Sequence, residues 1–366
     1  MAEDDPPRPD VLPGAPHPIE TAQLFGHSAA ERAVLDAWAA GRLHHAWLLT
    51  GPIGLGKATL AYRMALARLA TPVDGPVPSD LSVPLDLPLM RRARAGSEPR
   101  MRVLRRTVNE KTGRLRTQIS VDDVREIKRG LALAVPDGGW RAVIVDAVDE
   151  LTTAAANALL KVLEEPPDRT LMVLISHAPG GVLPTIRSRC RRRVLQPLGL
   201  EDLGHALAGA GIELPAEDLP ALAELSGGSP GRAFQLAEGG GIAAYREIVQ
   251  LFTGQTLDRP GMIALSESAA GRAGADRLAQ ICTLTELFVA RLARASFGTG
   301  SAAGEETALA ATLSAHPAQA RLWAEAAMRI GAATRHARAV NLDPAQTILD
   351  MFLDLDSTLA QALALR

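Results

Sequence analysis

The feature that most constrains the fold is the glycine-rich stretch 51–57, Gly-Pro-Ile-Gly-Leu-Gly-Lys. It follows a short apolar run at 46–50 and precedes a good helical pattern over 59–69. Strand, glycine-rich turn and helix in this order form the context of a phosphate-binding loop, or P-loop. The backbone N–H groups of such a loop and the positive end of its helix form an anion cradle, and we favour this over a glycine-rich turn without a ligand. The residues expected to hold phosphate are Gly51, Gly54, Gly56 and Lys57.

Two positions that ATP hydrolysis normally uses carry alanine. Ala58 stands where a Ser or Thr hydroxyl would hold Mg²⁺, and Thr59 lies roughly 100° further round the helix. A second apolar run, 142–145, ends in Asp146, where a metal-side carboxylate belongs, but Ala147 follows where many P-loop ATPases carry Glu. We therefore predict a degenerate nucleotide site. ATP or ADP binding is expected to be weak or absent, and the isolated chain is not expected to hydrolyse ATP.

Several acidic and hydroxyl side chains stand where helices are expected to begin. Asp149 and Glu150 follow the strand that ends at Asp146 and have two interpretations, catalytic acids or caps of the next helix. We favour caps, since carboxylates are stabilised at the positive end of a helix. Ser28 and Glu31 have the spacing of a capping box.

Composition and patterning predict several domains. The chain has 366 residues, of which 47% are apolar and 22% charged, with a net charge of −2. Residues 1–20 are rich in proline and predict a disordered tail, while 21–198 alternate strands and helices and predict an α/β core, a parallel sheet with helices on both faces. Within the core, 71–118 reads as an insertion or long loop pair. Short helices over 199–240 predict a small lid, and 241–366 predict an all-helical C-terminal domain.

The composition also bears on membranes, metals and compartment. No apolar run approaches the roughly 18 residues of a membrane span, and the N-terminal residues lack a signal-peptide pattern. Cys190 and Cys282 cannot form a disulfide framework or a four-ligand zinc site. We expect a cytoplasmic protein without membrane association.

Segment 91–129 is strongly basic. It holds 13 Lys and Arg residues against 5 Asp and Glu residues, a local net charge of 13 − 5 = +8. Clustered cations can bind DNA phosphates, but the segment has no aromatic residue on which bases could stack. We favour a solvated or partner-facing loop over a DNA-facing loop.

A second basic cluster lies just before the last predicted strand. Five of the seven residues 187–193 are arginines, and the cluster includes the triplet Ser188-Arg189-Cys190. Taken alone, such a cluster indicates a solvated basic edge or a phosphate-binding patch. Its position after a P-loop, an acid-ended strand and a third apolar strand makes the triplet a specific signal.

Together these motifs resemble the bacterial clamp-loader AAA+ subunits of DNA polymerase III, and among them the delta-prime type. The match covers roughly residues 20–240, and the C-terminal helices fit the family's oligomerisation (collar) domain by position and character only. The matching stretches are Leu-His-His-Ala-Trp-Leu-Leu-Thr-Gly-Pro at 43–52, Asn-Ala-Leu-Leu-Lys-Val-Leu-Glu-Glu-Pro-Pro at 157–167, Ser-Arg-Cys at 188–190 and Gly-Gly-Ser-Pro-Gly-Arg at 227–232.

The resemblance implies roles for particular residues. Arg189 would be an arginine finger that acts in trans on ATP held by a neighbouring subunit, with a local salt bridge as the alternative. Ser176 or His177 would occupy the first sensor position, and the resemblance does not decide between them. Arg232 matches the second sensor, where it would contact nucleotide or, in a degenerate site, hold the lid against the core.

The resemblance also implies partners. The chain would be a stator that joins gamma/tau motor subunits and a delta subunit, and the assembly would load a sliding clamp onto primed DNA. Motor subunits carry four cysteines between the P-loop and the acid-ended strand, and this chain has none there, so we expect no zinc. The alternatives are an ATP-hydrolysing gamma/tau-like motor subunit and a stand-alone P-loop nucleic-acid factor.

Overall fold

A computed structural model describes residues 10–12, 15–21, 23–109, 112–132, 138–215, 217–254, 256–270, 274–297 and 305–365. The chain forms two compact units. The first contains 1–213 and 226–235, and the second contains 214–225 and 236–366. The residues predicted as a separate lid, 199–240, are thus divided between the two units.

The first unit is built on one sheet of parallel strands. The strands are β1 (Ala46–Thr50), β2 (Met101–Arg105), β3 (Arg141–Asp146), β4 (Thr170–Ser176) and β5 (Arg191–Val194). Their order across the sheet is β2-β3-β4-β1-β5. Every residue of β1 and β4 is buried, as expected for a parallel sheet covered on both faces. The predicted α/β core is confirmed.

Two hydrophobic cores cover the two faces of this sheet. Side chains alternate along a strand, so Trp47 and Leu49 of β1 enter one core and Leu48 enters the other. Helices α1 (Ser28–Ala39), α2 (Lys57–Ala70) and α3 (Pro88–Arg94) contribute to the first core. Helices α4 (Val121–Ala132), α5 (Thr153–Glu164) and α6 (Pro184–Arg187) contribute to the second.

The outermost strand β5 carries consecutive arginines. The guanidinium groups of Arg191 and Arg193 lie 5.1 and 5.9 Å from the ring centroid of the buried Trp47. Nε of Arg192 donates to the hydroxyl of Thr50 at 3.3 Å. These contacts attach the arginine cluster to β1 next to it.

Segment 71–118 is not only a loop insertion, and that prediction is corrected here. It supplies α3 and the strand β2, which pairs with β3 in the register Met101↔Ala142 to Arg105↔Asp146. Only Met101 and Leu104 of β2 are buried, and arginines interrupt the apolar residues. The sequence of β2 therefore gives only a weak strand signal.

The disordered tail predicted for 1–20 is wrong for the described residues 10–12 and 15–20. Ile19 is buried in the core that α2 lines, and Asp10 is also buried. Asp10 accepts hydrogen bonds from Arg105 and lies 3.2 Å from Nε2 of His17. Long-range partners therefore hold this segment against the sheet despite its prolines.

The capping box predicted for Ser28 and Glu31 is also wrong. The residue at the N-cap of α1 is His27, and no side chain accepts a hydrogen bond there. Glu31 instead accepts from Nε of Arg63 at 2.7 Å. Nε2 of His27 donates to the carbonyl of Leu55 at 2.8 Å, which attaches the start of α1 to the glycine-rich loop.

The remaining described elements are all helices. In the first unit α7 spans Leu200–Gly209, and near the unit boundaries α8 spans Asp218–Ser226 and α9 spans Pro230–Glu238. The second unit continues with α10 (Gly241–Leu251), α11 (Arg259–Glu267), α12 (Gly274–Ala295), α13 (Glu305–Leu313), α14 (Pro317–Val340) and α15 (Pro344–Ala364). No helix within the described ranges has the length and apolar character needed to cross a membrane.

Aromatic packing and a buried ionic network hold the second unit together. Phe252 lies 4.9 Å from Phe288 and 6.1 Å from Trp323, measured between ring centroids. Arg291 donates to Glu306 at 2.6 Å and to Glu224 at 2.7 Å. The C-terminal helices therefore form a core of their own.

Candidate functional site

The glycine-rich loop joins the carboxyl end of β1 to the N-terminus of α2. In open α/β sheets ligands bind beyond the carboxyl ends of the strands, and β1 lies between β4 and β5. Gly54 and Gly56 adopt φ values of 79° and 83°, in the left-handed region that favours glycine. A Cβ added at Gly54 would lie 2.5 Å from Oγ of Ser229, so the position lacks both the conformation and the space for a side chain.

The start of α9 packs directly on this loop. The hydroxyl of Ser229 donates to the carbonyl of Ile53 at 3.0 Å, and the backbone N–H of Gly231 donates to the carbonyl of Gly54 at 2.9 Å. The matched stretch 227–232 therefore supports the loop from outside, and its backbone comes close because Gly54 and Gly231 have no side chains.

Lys57 is bound to its own loop. Its ammonium donates to the carbonyl of Gly51 at 2.7 Å and to the carbonyl of Pro52, and the residue is 3% exposed. Burial lowers the pKa of Lys57 to about 8, although the negative charges of Asp146 and Asp149 oppose this change. The lysine thus already has hydrogen-bond acceptors in place of phosphate oxygens.

Asp146 ends β3 and lines the same cavity as Lys57. Burial raises the pKa of Asp146 to about 7, and the nearby carboxylates of Asp10 and Glu150 raise it further against the opposing charge of Lys57. Ionisation of this acid near neutral pH is therefore less favourable than for an ordinary aspartate, which makes it a weaker ligand for a divalent cation.

A cavity of about 540 Å³ opens over the loop. Most of the predicted phosphate-site residues line it, together with Ala58, and the rest of its wall comes largely from the N-terminal residues and from α7 and α9. Gly51 is not part of the lining, but its carbonyl accepts from Lys57. The predicted residues in the lining are Gly54, Gly56, Lys57 and Asp146.

The structure distinguishes the two candidates for the first sensor position. The hydroxyl of Ser176 is buried and donates to Oδ1 of Asp149 at 2.8 Å, whereas His177 lines the cavity. Burial and the positive charge of Lys57 lower the pKa of His177 to about 4, so its imidazole is neutral at pH 7. Of the two, only His177 can reach a ligand in the cavity.

Asp149 does not cap the next helix, and that prediction is wrong. Its carboxylate accepts from Ser176, from the backbone N–H of His177 and, at 3.3 Å, from the N–H of Ala178. The cap of α5 is Thr152, whose hydroxyl accepts from the N–H of Ala155 at 3.2 Å. The side chain of Asp149 instead ties the turn after β3 to the end of β4.

Arg232 is not brought to the site. Its side chain is exposed and lies outside the cavity lining, which α9 reaches through Pro230, Gly231 and Phe234. Within the described ranges, only the backbone N–H of Arg232 has an assigned bond, to Oγ of Ser229 at 3.4 Å. The predicted roles in nucleotide contact or in holding a lid therefore have no support in this geometry.

Asp10 is a site residue that sequence reasoning missed. It lines the cavity and adds negative charge near Asp146. Hydrogen bonds and charges from His17 and Arg105 lower the pKa of Asp10 against the opposing effect of burial, so the group stays ionised. A single aspartate among prolines carries no sequence signal that could have identified it.

Arg189 lies at the surface, away from this cavity. Its side chain is 37% exposed, Nη2 lies 2.7 Å from Oε1 of Glu164, and Nη1 donates to the carbonyl of Thr185 at 3.0 Å. In the isolated chain the predicted finger therefore makes the local salt bridge that was its alternative interpretation, while its guanidinium remains accessible.

Many cations of segment 91–129 are paired within the chain. Arg92 and Arg100 both bind Glu98 at 2.9 Å, and Arg106 lies 2.9 Å from Glu150. These pairs reduce the charge available to a polyanion. Across the part of the chain that the structure describes, no group of three or more His, Cys, Asp and Glu side chains could hold a metal ion.

Comparisons with known proteins find similarity to subunits of DNA polymerase III. Residues 26–199 match the family described as DNA polymerase III, delta subunit. Over 202 residues the chain is 36% identical to DNA polymerase III subunit delta' of Pseudomonas aeruginosa, covering 55% of this chain and 58% of that protein. It is 31% identical over 217 residues to DNA polymerase III subunit gamma/tau of Mycobacterium bovis, covering 58% and 36%.

Among solved structures, a gamma subunit-related protein of Thermotoga maritima aligns with a TM-score of 0.40 and 17% identity, covering 89% of this chain and 99% of that one. The chain spans less than two thirds of the length of the curated relatives named above. Over residues 26–199 the chain is similar in sequence to the family described as DNA polymerase III, delta subunit, and over 55% of its length to a delta' subunit.

Proposed function

We propose that this chain is a stator subunit of a clamp loader. It joins gamma/tau-like motor subunits and a delta subunit in the cytoplasm, and the assembly loads a sliding clamp onto primed DNA with ATP hydrolysed at neighbouring sites. The observation that carries the proposal is the degenerate P-loop in a delta-prime-like core. Ala58 and Ala147 remove the hydroxyl and the carboxylate that hydrolysis needs, and Lys57 is bound to loop carbonyls.

Other features of the cavity support an inert nucleotide site. Asp10 adds a carboxylate near Asp146, and two close carboxylates disfavour a bound polyphosphate. The pKa of Asp146, raised to about 7 by burial, weakens it as a Mg²⁺ ligand. In this proposed role the chain needs no bound nucleotide. It needs no zinc either, since it lacks the four cysteines of the motor subunits.

Arg189 is the residue through which a stator would act on its neighbour. Its guanidinium is accessible, and it follows the short helix α6, whose Ile186 is buried in the core. Such a cation placed at the γ-phosphate of ATP in an adjoining subunit offsets the charge of the transition state, typically worth about 10³ to 10⁵ in rate.

The test uses a complex reconstituted from this chain with motor and delta subunits. We expect Arg189→Ala to leave assembly intact and to remove most of the DNA-stimulated ATPase activity that depends on the adjoining site. The matched control is Arg187→Ala, which removes an exposed arginine two residues away whose contact is the carbonyl of Pro179 at 3.5 Å. Normal turnover with Arg189→Ala would refute the finger role.

A gamma/tau-like motor subunit is the second candidate, favoured by the 31% identity to the Mycobacterium bovis gamma/tau subunit. The isolated chain discriminates between the two. A motor subunit would show Mg²⁺-dependent ATPase activity that Lys57→Ala abolishes, whereas the stator shows none in either form.

Assembly itself separates both candidates from a stand-alone nucleic-acid factor. Light scattering of the chain mixed with motor and delta subunits should show a stable hetero-oligomer. Failure to associate at micromolar concentrations, together with binding of DNA by the chain alone, would favour the stand-alone factor.

A further inference from the structure

The ion pair between Arg189 and Glu164 joins the two most specific matched stretches of the chain. Glu164 is the last residue of α5, and Arg189 follows α6. Each terminal nitrogen of the guanidinium has one acceptor, Glu164 for Nη2 and the carbonyl of Thr185 for Nη1. Since a guanidinium has five N–H donors, three remain to meet an incoming anion.

The ion pair is not what holds α5 and α6 in place. Ile186, Val162 and Leu163 are buried in one hydrophobic core, so packing already fixes the backbones on both sides of the ion pair. Glu164 is also poorly placed for helix stability, because a negative charge at a helix C-terminus is unfavourable. Its contact with Arg189 therefore serves side-chain orientation rather than folding.

Orientation matters for Arg189 because a free arginine side chain samples many rotamers. With Nη1 on Thr185 and Nη2 on Glu164, the side chain is held in one direction at two points. Both partners of the ion pair are partly exposed, at 37% for Arg189 and 48% for Glu164. Exposed ion pairs are weak, so the loss of this one should have a modest effect.

We propose that Glu164 is a positioning residue for Arg189. It holds Nη2 of the guanidinium, so that the remaining donors of Arg189 can meet phosphate oxygens of a nucleotide held by the adjoining subunit. This inference rests on the proposed stator function, but its first half, the orientation of Arg189 by Glu164, belongs to the isolated chain and is tested there.

The isolated chain is treated with phenylglyoxal, and the modification of each arginine is followed by peptide mass spectrometry. We expect Glu164→Ala to increase the modification rate of Arg189 by about two- to fivefold, the size of an exposed ion pair. Arg187 serves as the internal control, and Glu165→Ala removes the same charge one residue away without changing the rate at Arg189. Equal rates at Arg189 in wild type and Glu164→Ala would overturn the proposal.

In the reconstituted complex, Glu164→Ala should lower kcat of the DNA-stimulated ATPase by about two- to fivefold with KM unchanged. Glu164→Gln keeps an acceptor oxygen and should lose less, and Glu165→Ala should match wild type. Because Glu164 acts through Arg189, Glu164→Ala should change nothing further in an Arg189→Ala background. An unchanged or increased kcat with Glu164→Ala would overturn the positioning role.

The two proposals fail in different ways. If Arg189→Ala itself leaves turnover normal, the finger role is refuted whatever Glu164→Ala does. If Arg189→Ala removes turnover while Glu164→Ala leaves it at the wild-type level, the finger stands and only the positioning role of Glu164 is refuted.

Discussion

The ammonium of Lys57 lies 2.7 Å from the carbonyl oxygen of Gly51, within the loop that would otherwise bind phosphate. A second N–H of the ammonium donates to the carbonyl of Pro52, so two of its three donors are already bonded within the loop. Burial lowers the pKa of Lys57 to about 8, because the charges of Asp146 and Asp149 only partly offset the loss of solvent. The loop therefore keeps the backbone shape of an anion-binding loop, but the ammonium of Lys57 is bonded to carbonyls of that loop.

Mg²⁺ should have little effect on nucleotide binding by the isolated chain. Ala58 offers no hydroxyl to the metal, so ATP affinity measured by calorimetry with Mg²⁺ or with EDTA should agree within about twofold. Ala58→Ser restores the missing oxygen and should make binding depend on Mg²⁺. A strong Mg²⁺ dependence in the wild type would contradict the degenerate site.

Replacement of Gly54 by alanine should destabilise the first unit by about 2 kcal/mol or more. The substitution combines a φ of 79° with a Cβ 2.5 Å from Oγ of Ser229. Gly96→Ala is the matched control, because its φ is 66° but nothing lies within 4 Å of the added Cβ. Denaturant unfolding of both variants separates the steric cost from the backbone cost, and equal losses would show that the contact with α9 is unimportant.

Asp146→Asn should stabilise the protein, and more so at high pH. Burial raises the pKa of Asp146 from 3.8 in the unfolded chain to about 7 in the folded chain, so the folded state favours the protonated acid. The folded state therefore loses stability as the pH rises from about 4 to 7 and the carboxyl is forced to ionise. Asparagine removes this loss, and we expect a gain about 1 to 3 kcal/mol larger at pH 8 than at pH 5.

The measurement is thermal unfolding of wild type and variant at both pH values. The exposed Asp168 provides the control, since Asp168→Asn removes the same charge at the surface. A gain from Asp146→Asn that is identical at pH 5 and pH 8 would rule out the ionisation mechanism.

Thr152→Ala should cost about 1 kcal/mol of stability, whereas Ser28→Ala should cost almost nothing. Thr152 accepts from the N–H of Ala155 at the start of α5, but Ser28 lies inside α1 and accepts no capping bond from the backbone. Denaturant midpoints of the two variants check this difference. A larger loss for Ser28→Ala would restore the capping box that the structure contradicts.

Much of the core could be predicted because its signals are local. The glycines of 51–57 and the apolar runs that became β1, β3 and β4 indicate a parallel sheet with a P-loop. Each run is short, continuous and bounded by turn residues, which is the pattern of strands buried on both faces.

The parts that could not be predicted depend on distant partners. β2 has only two buried residues and forms a strand because β3 offers it an edge. Asp10 joins the site through Arg105, which is 95 positions away in sequence. The acceptor role of Asp149 likewise depends on the end of β4, and no local pattern contains that information.

The arginines of β5 have a consequence for the sheet as a whole. β5 is one of the two edge strands, and another strand pairing there would have to approach Arg191, Arg192 and Arg193 in succession. A run of like-charged side chains on an edge strand opposes such addition. The arginine cluster that carries the sequence signal for a trans-acting cation therefore also disfavours intermolecular β-pairing at this edge of the sheet.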